Sequence, residues 1–151
     1  MIIATAMLEG PIDAALEARG LAPHAAAIAA LDAAGSCGAE LRFDGVVRRE
    51  EPQAGASCDI AALDYETYEP MTARLLHELA TAIAREHGLA MLVALHSRGR
   101  VEVGRTSFVR RVRSAHRAEA LAAVTAFIDR LKREVPIWKH PVWASGEQQL
   151  R

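Results

Sequence analysis

Two residues stand apart by type. Lys132 and Lys139 are the only lysines in the chain, seven residues apart in LKREVPIWKH (131–140), while the other sixteen basic side chains are arginine. An arginine guanidinium is locked in its charged form, whereas a lysine ammonium is a compact cation that can also give up a proton. On position alone a lysine at a helix end is ordinarily a solvated, dipole-favoured charge, so the pair on either side of Pro136 poses the question whether a proton moves or a small cation must fit there. Other basic residues extend the pattern. His116 and Arg117 open a helical stretch, where unpaired N–H groups and the helix dipole favour anions. Arg48 follows Gly45-Val46-Val47 at the end of a strand-like run. If the fold brings these together, they make a cationic cleft for a small phosphate-bearing ligand, with arginine supplying bidentate contacts.

The elements that must position them are legible from periodicity. Residues 1–8 read as a strand, and Pro11 opens an alanine-rich helix ending near Gly20. A second helical piece covers 24–34 and stops at Gly35. Residues 37–47 alternate as a strand with a bend at Gly45. RREEPQAGAS (48–57) is polar with Pro and Gly, so a mobile loop is expected at about 48–58. A strand over 59–68 precedes a helix begun by Pro70 and carrying Leu75, Leu76, Leu79 and Ile83 at helical spacing to Gly88. Strands follow at 90–96, after a turn near Gly99 to Val103, and at 106–114. The helix over 117–134 repeats apolar residues at Leu121, Val124, Ile128 and Leu131, and Pro136 ends it. Lys132 falls in its last turn and Lys139 just beyond the proline. This order predicts an α+β domain, a mixed and largely antiparallel sheet packed by helices.

Bulk properties set the class. A chain of 151 residues, about half of them apolar, fits one domain over 1–151 with a proper core. The net charge is −1 but unevenly spread, with five acids and one arginine in residues 1–41 against seven arginines and one glutamate in residues 98–117. The second segment is a candidate anion site. No apolar run approaches the ~18 residues needed to cross a membrane, and MIIATAMLEG lacks a basic leader region, so a cytoplasmic protein is expected. Cys37 and Cys58 lack metal or redox spacing. A buried Cys37 and a loop Cys58 are expected.

Four motifs then carry a family resemblance. GAELRFDGVVR (38–48), LDYETYEPM (63–71), SAHR (114–117) and LKREVPIWK (131–139) resemble, in order and spacing, the signatures of the catalytic, or large, subunit of molybdopterin synthase. The resemblance implies a hammerhead-like α/β fold. It also implies sulfur transfer from the thiocarboxylated Gly-Gly terminus of a small ubiquitin-like carrier subunit to cyclic pyranopterin monophosphate, giving the dithiolene of molybdopterin in molybdenum cofactor biosynthesis. It further implies a homodimer within a heterotetramer, with no metal or organic cofactor in the enzyme and neither nucleic acid nor membrane as partner. By the same resemblance Lys132 and Lys139 are catalytic, and Val46, Val47, Arg48, His116, Arg117 and His140 are substrate-binding.

Other residues have plainer expectations. Tyr65, Tyr68 and Met71 should pack the sheet against the following helix, and Ile137 and Trp138 should be packing residues. Arg110, Arg111 and Arg113 should form a solvated strand face. Where relatives continue with a basic residue and a glutamate, this chain has His140-Pro141. A non-catalytic relative that binds the carrier or a phosphorylated ligand is therefore the alternative. A binder of nucleic acid or another anionic surface, using residues 98–117, stands behind both and requires affinity that falls steeply with salt.

Overall fold

A computed structural model describes residues 1–53 and 56–144. Its elements are β1 (Ile2–Glu9), α1 (Ala14–Leu21), a 3-10 turn (Ala22–His24), α2 (Ala25–Ala34), β2 (Ala39–Val46), β3 (Glu50–Gln53), β4 (Ala56–Thr67), α3 (Met71–Glu86), β5 (Met91–Glu102), β6 (Thr106–Ser114), α4 (Arg117–Glu134) and β7 (Ile137–Trp143). The sheet runs β2-β6-β5-β4-β3, with β1 beside β5 and β7 beside β4. Every pairing is antiparallel except β1 with β5. The expected α+β class, with a mixed and largely antiparallel sheet, is what forms.

Helices cover both faces of the central strands. On one face, α3 and α4 bury Leu76, Leu79, Ile83, Ala120, Ala123 and Phe127 against Leu92, Ala94, Phe108 and Val112. On the other, Leu21, Ile28 and Leu31 pack over Ala4, Met91, Val93, Leu95 and Val109. A strand covered on both sides must be apolar on both, which explains the unbroken run MLVAL in β5. A third cluster, Val47, Ile60, Leu63, Tyr65 and Val101, lies where β4 joins the sheet.

Two glycines shape the cavity end of the sheet. Gly45 precedes a register shift in the β2–β6 ladder, and a Cβ there would stand 3.1 Å from the Phe108 Cβ. The expected bend is thus a close approach that favours glycine. At Gly99 (φ 72°) β5 does not end in a turn but continues to Glu102, leaving β1 and β6 and pairing with β4. A side chain there would meet both the left-handed backbone and the Glu9 carboxylate.

Several expectations are corrected. The stretch read as a loop contains β3, paired with the start of β4, although residues 54 and 55 lie outside the described residues. α1 starts at Ala14, with Asp13 as N-cap accepting from the Leu16 N–H at 2.8 Å, and it runs through Gly20. α4 begins and ends as expected, but its buried face is Ala120, Ala123 and Phe127, and Leu121 faces solvent. β7 lacked a sequence signal because Pro141 argues against a central strand; among the described residues it pairs only with β4, as suits a proline-bearing edge. Cys37 and Cys58 are both partly exposed and unpaired by disulfide, and Cys58 lies in β4.

Candidate active site

The cavity sits where α4 ends, between the third core cluster and the α3–α4 side of the sheet. The last turn of α4 carries Lys132, and the helix closes with the Val135 N–H on the Leu131 carbonyl at 3.1 Å. Pro136 prevents a further turn, and the chain leaves at once as β7. This corner is tied to α3: the buried Thr72 hydroxyl donates to the Pro136 carbonyl at 3.1 Å and accepts the Tyr68 N–H at 2.9 Å. The turn between the two lysines is therefore held by side-chain bonds as well as by the proline.

Lys132, Lys139, Arg48, Val46 and Val47 all line one cavity of about 490 Å³. That volume suits a small organic ligand. Val47 is core, with its N–H on the Arg105 carbonyl and its carbonyl taking the Gly104 N–H, so the strand end beneath Arg48 is fixed. Lys139 lies 3.9 Å from the Glu51 carboxylate. Lys132 and Arg48 have no ion-pair or hydrogen-bond partner among the described residues. The walls are apolar, with Phe43, Phe108, Leu63, Ile128 and Leu131.

The remaining site residues lie elsewhere. Lys139 pairs in register with Tyr65, while His140 pairs with Asp64 and so projects to the opposite face of β7. There its Nε2 meets a Glu66 carboxylate oxygen at 2.7 Å. The Glu66 carboxyl is held below the usual range, first by the Tyr68 hydroxyl and then by His140. His140 is thus not a lining residue of the cavity. His116 and Arg117 line a separate depression with Gly38, Ala115 and Ala118, at the start of α4. At 1.5 Å per residue, Arg117 is about 22 Å along the helix from Lys132. Within one chain the expected convergence of all these residues does not occur.

The plainer expectations also change. Tyr65 packs inward, but Tyr68 is 51% and Trp138 47% exposed, their rings edge-to-face at 5.1 Å, and Met71 is exposed as well. Ile137 packs against the core. Arg110 is fully buried rather than solvated. Its guanidinium lies near the Phe43 and Phe127 rings and donates to the Val124 carbonyl at 2.7 Å, leaving Nε and Nη2 unpaired. Burial pushes it down to about 10.

Sequence reading missed the cavity floor. Tyr65, His96 and Ser107 line it from β4, β5 and β6. The Ser107 hydroxyl donates to the Gly45 carbonyl at 3.3 Å and the Tyr65 hydroxyl donates to Ser107 at 2.9 Å. Burial pushes the Tyr65 phenol up, and the nearby Glu51 charge adds to the effect against the Ser107 hydrogen bond. His96 is 7% exposed, and burial lowers it to about 4 despite its bond to the Ser97 carbonyl. A polar residue inside an otherwise apolar strand, His96 after MLVAL, was the available signal.

The comparisons with known proteins point to one family and fold. The family described as MoaE protein matches residues 19–134. Molybdopterin synthase catalytic subunits of Nostoc sp. and Arabidopsis thaliana are 34% identical over 110 residues and 40% identical over 88. The matches cover 72% and 58% of this chain but 64% and 44% of those relatives, so the chain spans less than two thirds of their length. Molybdopterin synthase from Staphylococcus aureus superposes with a TM-score of 0.65 at 30% identity, covering 74% of this chain and 78% of that one. Among the described residues no helix is long and apolar enough to cross a membrane. The fold, the ordered motifs and the match over most of its length together show that the chain belongs to the MoaE protein family.

Proposed function

We propose that this chain is the catalytic subunit of a cytoplasmic molybdopterin synthase, transferring sulfur from a thiocarboxylated ubiquitin-like carrier to cyclic pyranopterin monophosphate. The observation that carries the reading is the placement of the chain's only two lysines, with Arg48, around one apolar-walled cavity, where Lys132 has no acid partner among the described residues. The reaction suits such a site. Each sulfur arrives as a nucleophile at a substrate carbon, an oxygen leaves that carbon, and water cleaves the acyl–sulfur bond to release the carrier as a carboxylate. Negative charge develops on oxygen at each stage, and an ammonium held at the mouth of an apolar-walled cavity stabilises it. In this reading Lys132 supplies that charge or a proton, Lys139 positions the substrate or the carrier's carboxyl end, and Arg48 holds phosphate.

His116 and Arg117 keep a substrate-binding role only if a second copy supplies them, since α4 separates them from Lys132 by most of its length. In this reading a homodimer carrying one carrier per chain, a heterotetramer, would supply them from the second copy. His140 is left out of the site because of its place beside Glu66. The test is to mix the purified chain, thiocarboxylated carrier and cyclic pyranopterin monophosphate, and to assay dithiolene product for wild type, Lys132→Ala and Lys132→Arg. Product from the wild type alone supports a lysine-dependent synthase. A folded wild type that binds carrier without forming product supports the non-catalytic alternative instead.

A further inference from the structure

The cavity has two chemically different ends. At its mouth stand the exposed Lys132, Lys139 and Arg48; at its floor lie the buried Tyr65, Ser107 and His96. The floor's hydrogens can be accounted for one by one. A carbonyl only accepts, so the Ser107 hydrogen is committed to Gly45. The Tyr65 hydrogen must then be the one in the bond to Ser107. The same reasoning fixes His96: its Nδ1 lies 2.8 Å from the Ser97 carbonyl, so Nδ1 carries the hydrogen. Nε2 has no partner among the described residues and is not one of the fully enclosed unpaired polar atoms, and His96 lines the cavity. Edge-to-face packing on Tyr65 (5.2 Å) and contact with Phe108 (5.4 Å) fix the ring plane.

We infer that the floor is an acceptor-only recognition surface, in which His96 Nε2, with the Tyr65 oxygen on the same floor, receives an N–H or amino edge of a ring whose anionic group sits among the cations at the mouth. This rests on the proposed reading of the cavity as the substrate site, and it fixes the direction in which the substrate enters. A pterin ring offers such a donor edge, and a phosphate suits the mouth. Keto or carboxylate groups aimed at the floor would meet lone pairs and be rejected, the kind of discrimination that unpaired buried polar groups provide. Burial keeps the imidazole uncharged at neutral pH, so the acceptor persists under working conditions.

The test uses the full chain with 15N-labelled histidine. In the wild type at pH 7, the His96 ring should show a protonated Nδ1 and a bare Nε2, and cyclic pyranopterin monophosphate should shift the Nε2 resonance. His96→Phe, which keeps a ring against Tyr65 and Phe108 but no acceptor, should raise KM about 10-fold with a smaller change in kcat. His96→Gln, whose amide oxygen can accept, should recover part of the loss. A protonated Nε2 in the free wild type overturns the inference whatever the variants do. So does a folded His96→Phe with unchanged KM while the wild type turns over, and in that case the proposed function still stands. A wild type that neither binds nor converts the pterin removes both.

Discussion

The lysine cavity and the arginine-rich β2–β6 ladder are both basic in sequence and differ in what their charges face. Along the ladder, Arg111 and Arg113 share the Glu40 carboxylate at 2.6 and 2.8 Å, and Arg113 also pairs with Asp32. Arg42, on β2, is held between Glu17 and Asp44. Glu9, Glu17, Asp32 and Glu40 of the first segment thus meet Arg98, Arg111 and Arg113 of the later one, so part of each opposite charge imbalance is offset in space. At the cavity, three cations face a single lining carboxylate within ion-pair reach, Glu51 of Lys139. Charge density along a chain therefore says little about available charge. Four of the seven arginines in the segment richest in arginine are ion-paired and Arg110 is buried, which weakens the case for an anionic-surface binder, while the two isolated lysines line the cavity.

The contrast is broken or sharpened by experiment, beginning with the largest effect. Lys132→Ala should lower the rate of dithiolene formation by about 10²- to 10³-fold, the scale expected for losing one fixed charge at a developing oxyanion. Its unfolding free energy should stay within ~0.5 kcal/mol of wild type because the side chain is exposed. Arg113→Ala should do the reverse, keeping turnover within about twofold while losing some stability. Equal activity losses in both variants would erase the distinction between the two regions.

The second effect concerns acid stability. The His96 imidazole is lowered from 6.5 to about 4 in the folded state, so between those values the unfolded chain binds more protons and stability falls as pH falls. Urea titrations should show this loss, on the order of 3 kcal/mol in full, starting below about pH 6.5, and His96→Gln should remove that limb. Third, Arg110→Met replaces a buried cation that lacks an acid partner among the described residues. Its stability should equal or exceed that of wild type by about 1 kcal/mol or more, since a packed apolar side chain avoids the desolvation cost. A clear loss on urea unfolding would show that the aromatic and carbonyl contacts outweigh that cost. The smallest effect is at Glu40. Burial alone would raise its carboxyl, but Arg111 and then Arg113 outweigh burial and hold it below its ordinary value of 4.5. Its contribution is present above that value and is lost as pH falls through the lower folded value, and Glu40→Gln should cost about 0.5–1 kcal/mol at pH 7 and flatten this part of the profile.

Much of the frame was legible because helix and strand signals are local. β6 (Thr106–Ser114) and α4 (Arg117–Glu134) fall at the expected residues, since period-2 and period-3.6 patterns and a terminating proline act over a few residues. β3 and β7 were hidden for the complementary reason. β3 carries a proline and no apolar side chain, β7 carries a proline inside its apolar run, and each is defined by the partner strand β4. The cavity floor was hidden more deeply. Tyr65, His96 and Ser107 come from three strands, and nothing in the spacing of those residues says that they share one wall.

By itself the sequence determined the order and type of the main elements, the ends of the long helix, and the singular use of lysine on either side of Pro136. Those follow from torsional preferences, hydrogen-bond geometry and side-chain chemistry that each residue carries with it. Only the tertiary structure decided which charges are cancelled, that Lys139 faces the cavity while its neighbour His140 faces away, and that His116 and Arg117 lie at the far end of the helix from Lys132. These depend on register: in a strand one residue changes the face, and along a helix fifteen residues cover about 22 Å. Such relations are set by packing between distant segments, which no local pattern encodes.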